Sequence, residues 1–119
     1  MSFEAILRGI VSQCPGCLGA ALMSSDGVPI AEVGGAREVD EVSLLGVEFG
    51  RVLDESRKVA ATVNGGELEE LVVEMARAQV VLRVVDRETY LVLAIEPSGN
   101  LGKARYLLRR HALDVREQL

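Results

Sequence analysis

A chain of 119 residues is the size of one domain, so a single core covering 1–119 is expected, with no repeat and no linker. Hydrophobic residues make up 49% and charged residues 26%, an ordinary globular balance, and 3% aromatic content leaves the core to Leu, Val, Ile and Ala. A net charge of −5 without stacking aromatics argues against nucleic acid and against an anionic membrane surface, while permitting a basic protein partner.

The chain opens Met1-Ser2-Phe3-Glu4, with an acid where a secretory leader needs basic residues, and Arg8 and Gly9 break the apolar pair Ile6-Leu7. No apolar stretch reaches the roughly 18 residues of a membrane span. Two cysteines make no disulfide framework, so the expected compartment is the cytoplasm. Phe3, Ile6, Leu7, Ile10 and Val11 recur at helical spacing and predict an amphipathic helix that stops before Pro15-Gly16. Leu18–Met23 and Val28–Val33 flank Ser24-Ser25-Asp26-Gly27 and read as a hairpin. Pro29 then falls near a strand start, where its missing N–H is tolerated.

Beyond Gly34-Gly35 the period changes. Val39, Val42, Leu45, Phe49, Val52, Leu53, Ser56, Ala60 and Val63 form a stripe that predicts a long helix. It should run about 25 residues, near 37 Å at about 1.5 Å per residue. Glu38 or Asp40 falls in its first turn, which the helix dipole favours, and Asn64-Gly65-Gly66 ends it. Strands are expected over Leu68–Met75, Gln79–Val85 and Thr89–Ile95, joined at Ala76-Arg77-Ala78 and Asp86-Arg87-Glu88. After Pro97-Ser98-Gly99-Asn100, a last helix is marked by Leu101, Ala104, Leu108, His111, Ala112, Val115 and Leu119. The order α-β-β-α-β-β-β-α predicts an α/β sandwich, a five-stranded antiparallel sheet flanked by helices.

Several constellations invite a chemical reading. Cys14-Pro15-Gly16-Cys17 has the CxxC spacing of thiol oxidoreductases, but it follows a helix and precedes a strand, so the helix dipole has the wrong sign for a thiolate. Thiol-redox activity stays open as the alternative to an incidental turn. Tetrahedral zinc would need four ligands, and only a Cys₄ site shared between two copies could supply them. His111, the single histidine, lies on the apolar stripe of the last helix with no nucleophile or acid beside it by motif, and reads as a packing residue. Gly34-Gly35 and Gly65-Gly66 lack the Gly-Lys-Ser/Thr of a phosphate loop. Gly99-Asn100-Leu101-Gly102-Lys103 could hold an anion at a helix start, although capping by Asn100 or Ser98 is the commoner use. Glu67, Glu69, Glu70 and Glu74 surround one strand, either exposed or meeting Arg77, Arg83 or Arg87. Arg105, Arg109, Arg110 and Arg116 give the last helix a basic side.

The run Gly19-Ala20-Ala21-Leu22-Met23, followed by Asp26-Gly27 and Ile30, then the long helix, resembles the roadblock/LC7 family. So does the ending, Tyr90-Leu91-Val92-Leu93 with Gly99-Asn100-Leu101-Gly102-Lys103-Ala104-Arg105. The resemblance spans the chain and is similar in detail to the bacterial members of gliding motility and cell polarity, in length and ends the short paralogue more than the GTPase-activating one. It implies a homodimer with two sheets joined edge to edge through the third strand, at Leu71, Val73 and Met75, and with the long helices side by side. It implies as partners a small Ras-like GTPase or other roadblock and polarity proteins. It also implies no cofactor, no metal and no catalytic side chain; a purely structural dimer is the remaining alternative.

On a helical wheel the core stripe centres on Val42, Phe49, Leu53 and Ala60. Leu44 and Val47 fall roughly opposite, among Arg51, Asp54, Glu55 and Lys58. This predicts an interface on the long helix formed by those six residues, unless the two apolar side chains are merely exposed singly. Gly46 and Gly50, four residues apart, allow close backbone approach, either to a partner helix or to the chain's own sheet.

Overall fold

Capping side chains fix where the first and last helices begin. The structure, a computed structural model, describes residues 1–35 and 39–119, the side chains of Val39 and Asp40 apart. Helix α1, Phe3–Gln13, starts where the Ser2 hydroxyl accepts the Ala5 N–H at 3.1 Å, and buries Ile6, Leu7 and Ile10. Strands β1 (Cys17–Ser24) and β2 (Pro29–Gly34) form the expected hairpin, and Gly27 supplies the left-handed φ of +86° that its turn requires. Pro29 is the first residue of an edge strand, so its missing donor costs no ladder bond.

Helix α2, Val39–Thr62, is the long central helix. Of the expected first-turn acids and stripe residues, Glu38 and the side chains of Val39 and Asp40 lie outside what the structure describes. Asn64 turns left-handed at φ 54°, and the Gly65 N–H donates to the Ala60 carbonyl at 2.8 Å, which closes the helix as Asn64-Gly65-Gly66 predicts. Strands β3 (Glu70–Glu74), β4 (Gln79–Val84) and β5 (Thr89–Ile95) follow, and then α3, Leu101–Gln118. Asn100 caps α3, its side-chain oxygen accepting the Lys103 N–H at 3.0 Å.

The five strands lie in the order β2-β1-β5-β4-β3, every neighbour antiparallel. β3 is shorter than its apolar run suggests, although the Val84 N–H still donates to the Glu69 carbonyl and the Met75 N–H to that of Ala78. Central β1 and β5 are buried on both faces, which explains their near-continuous apolar sequences. One face packs Leu22, Val81, Leu91 and Leu93 under α1 and α3 together. The other packs Met23, Leu82, Tyr90 and Val92 under α2 alone.

Gly46 and Gly50 serve this second contact. A Cβ on Gly46 would sit 3.1 Å from Met23 Cγ and 3.2 Å from Val92 Cγ2, and one on Gly50 would collide with the Tyr90 hydroxyl. That hydroxyl donates to the Gly46 carbonyl at 2.8 Å. The glycines therefore let α2 lie close on its own sheet. Gly50→Ala gains about 1 kcal/mol of helix propensity, but overpacking costs about 1–3 kcal/mol. We expect net destabilisation in urea unfolding, with a smaller penalty in a Tyr90→Phe background; a stabilised Gly50→Ala protein would show that this contact is slack.

Candidate interaction surface

The outer side of α2 carries more apolar surface than a solvated helix needs. Leu44 is 61% exposed, Val52 43%, Val59 60% and Val63 68%. Val47, expected beside Leu44, is half-buried and packs back onto the core under α2. Val52 and Val63, assigned to the core stripe by periodicity, stand outside it instead. The reason is rotational. With Gly46, Gly50 and Leu53 against the sheet, positions 52, 59 and 63 fall on the flank of the helix near Leu45 and Phe49, away from Val47. Val59 was not anticipated; the signal available was an apolar arc too wide for one buried face.

The charged residues of the expected interface are exposed. Arg51 lies 3.6 Å from Glu48, and Lys58 lies 2.9 Å from Glu55. Pairs this exposed add little to stability, so they can be exchanged for contacts to a partner. Asp54 is exposed on the same helix and, with Arg51, lines a shallow hollow against Asp26 and Tyr90.

β3 forms one edge of the sheet. Its inward bonds at Glu69 and Met75 set an alternation in which Leu71 and Val73 also face β4, so the N–H and C=O groups of Glu70, Val72 and Glu74 point to the open side. Leu71 packs on the core under α2, Val73 is partly buried, and Met75 is 37% exposed just past the strand end. Leu71 and the exposed flank of α2 thus lie on the same face of the sheet. Of the acids, Glu70 is held 2.7 Å from Arg105 and 3.9 Å from Arg83, and Glu67 is 3.8 Å from Arg87. Arg105, on α3, is the partner that sequence reasoning did not name.

The remaining motifs resolve into structure. His111 is half-buried with Nδ1 3.0 Å from Asp114 Oδ2. Among the described residues no group of three or more His, Cys, Asp and Glu is placed to hold a metal ion, and no helix is long and apolar enough to cross a membrane. Cys14 and Cys17 are buried and unbridged. Burial raises the Cys14 thiol and pushes Cys17 from 9.0 up to about 11, the reverse of the activated thiolate that redox chemistry uses.

That shift has a definite sign. Between about 9 and about 11 the unfolded chain gives up the Cys17 proton while the folded chain keeps it, so stability falls as pH rises. The slope is at most about 1.4 kcal/mol per pH unit. We expect Cys17→Ala to flatten this part of the stability profile, and native thiols to react slowly near neutral pH in a thiol titration. A fast-reacting native cysteine would restore the redox reading.

No family profile and no curated protein matches the chain by sequence. Solved structures do. A roadblock/LC7 domain from Streptomyces avermitilis superposes with a TM-score of 0.88 at 18% identity, over 99% of this chain and 98% of that one. The gliding protein MglB from Thermus thermophilus gives 0.84 at 16% identity, over 95% and 84%. MglC from Myxococcus xanthus gives 0.72 at 32% identity, over 100% of both chains. With that identity to MglC over its full length, and with this fold, the chain belongs to the roadblock/LC7 family.

Proposed function

We propose that the protein is a non-catalytic adaptor that works as a homodimer, two copies joining β3 edges and laying their α2 helices side by side. The observation that carries this reading is the coincidence of two unsatisfied features on one side of the molecule. An open strand edge offers the backbone groups of Glu70, Val72 and Glu74, and the apolar flank Val52, Val59 and Val63 lies on the α2 face beside it. A second copy would pair the first and cover the second in one contact.

The paired helices then present Leu44, Arg51, Asp54, Glu55 and Lys58 to a small Ras-like GTPase or to another roadblock or polarity protein. Kinship with MglC, and with MglB as a gliding protein, supports a role in motility or cell polarity. Thiol-redox chemistry finds no support in the buried thiols, and their being unbridged accords with a cytoplasmic setting.

Light scattering coupled to size exclusion tests the dimer. We expect twice the 12.8 kDa chain mass for the wild type and a monomer for the double variant Val52→Asp, Val59→Asp. A wild-type monomer would remove the platform. Reversing charge at Arg51 and Lys58 should leave the dimer intact and weaken GTPase binding about tenfold, or about 1.4 kcal/mol. Unchanged affinity would move the docking surface elsewhere, and a dimer that ignores the GTPase in both nucleotide states would leave the other polarity proteins as partners.

A further inference from the structure

A cleft of about 340 Å³ opens between the C-terminal half of α2, residues 67–69, the β4–β5 turn and the end of α3. Arginines reach it from four places: Arg57 on α2, Arg83 on β4, Arg87 in the turn and Arg116 on α3. Their existing partners leave them under-used. Arg57 Nη1 donates to the Arg87 carbonyl at 3.3 Å, and Arg116 Nε donates to the Val85 carbonyl at 3.1 Å. Among the described residues neither has a carboxylate within ion-pairing distance. Arg83 has only the loose 3.9 Å approach of Glu70, whose other oxygen is taken by Arg105. Arg87 and Glu67 are both largely in water.

Two of these donors are orphaned. Among the described residues the Nε atoms of Arg57 and Arg83 are almost wholly buried and have no acceptor. A buried donor without a partner costs about 1–3 kcal/mol, more when charged, and folded proteins keep few of them. Glu70, whose Oε1 is also buried without a donor, stays 3.9 Å from Arg83, and Asp86 does not answer the need. Asp86 is turned into its own loop, where its carboxylate accepts from the Thr89 hydroxyl at 2.7 Å and the Glu88 N–H at 2.8 Å. Although burial opposes its charge, those bonds and the Thr89 N–H, with Arg116 nearby, hold the Asp86 carboxyl below the usual range.

We propose that this cleft binds the carboxylate of an acidic peptide segment from a partner protein. A planar carboxylate offers the acceptor pairs that guanidinium forks recognise. Leu68 and Val84, both half-buried, give the cleft an apolar wall for a neighbouring side chain. Four arginines against Glu67, Glu69 and Asp86 leave the lining with one surplus positive charge, 4 − 3, which suits a single carboxylate better than a dianion such as phosphate. The lining shares no residue with the proposed dimer contact, being free of Val52, Val59, Val63 and the β3 residues Glu70, Val72 and Glu74.

The test follows the arginine Nε–H resonances of the full chain while acetyl-Val-Glu-Leu-amide is added. The expected result is a saturable, joint shift of the Arg57 and Arg83 signals, absent with the Gln analogue of the peptide. In Arg57→Lys, which keeps the charge and loses the fork, binding should weaken about tenfold. No saturable shift, an equal response to the Gln peptide, or tighter binding of inorganic phosphate than of the Glu peptide would each overturn the proposal.

Discussion

A helix is about 10 Å across, and five strands about 4.8 Å apart span about 19 Å between the outermost two. Covering one face of such a sheet takes two helices. On one side α1 and α3 supply them, and the side chains beneath are closed from water at Leu22, Leu91 and Leu93. On the other side α2 is alone, and it lies mostly across β1 and β2. Much of the β3 side of that face is left with thin cover. The partial burial of Leu71, Leu68 and Phe49, in contrast to the full burial of Leu82 and Val92, follows from this mismatch of widths.

The position of α2 is set by a small number of contacts. Gly46 and Gly50 remove two side chains where the helix crosses Met23, Tyr90 and Val92, and the Tyr90 hydroxyl ties the Gly46 carbonyl to β5. Burial raises the Tyr90 hydroxyl, as expected of a phenol enclosed beneath a helix. Once those positions face inward, the rotation of the helix is decided, and so is what it shows to the outside. Val47 leans inward over the hairpin side, and Val52, Val59 and Val63 are carried to the flank nearer β3. Core packing and the character of the outer surface are thus one geometric choice.

Much of this was legible in the sequence because it is local. Periods of two and 3.6 separate the strands from the helices, Pro29 and Asp26-Gly27 mark the hairpin, Asn64-Gly65-Gly66 ends α2, and Asn100 caps α3 through its own side chain. What failed depended on helix rotation. A wheel drawn from a sequence so rich in valine has no unique centre, so periodicity alone puts Val52 and Val63 inside and leaves Val59 out. In the sequence Gly46 and Gly50 are equally compatible with a partner helix, because Tyr90, which lies beneath them, is forty or more positions away. The same limit applies to Glu70, whose partner Arg105 is thirty-five residues distant. The arginine cleft is harder still, because its four cations come from four separate segments.

The charges along β3 qualify how open its edge is. Unpaired strands are commonly protected against arbitrary association by charged side chains. Here Glu70 is neutralised within its own chain by Arg105, with Arg83 close by, and Val72 turns toward the core under α1 and α3. Glu74 stays exposed. An antiparallel pairing of two copies centred on Val72 would set Glu70 of one opposite Glu74 of the other, and like charges in that position are ordinarily destabilising. Arg105 changes the sum, since a carboxylate already bound to a guanidinium presents far less charge across the ladder. In such a pairing a second copy of this chain would bring its own arginine with each Glu70, whereas a foreign acidic strand would meet Glu74 without that compensation.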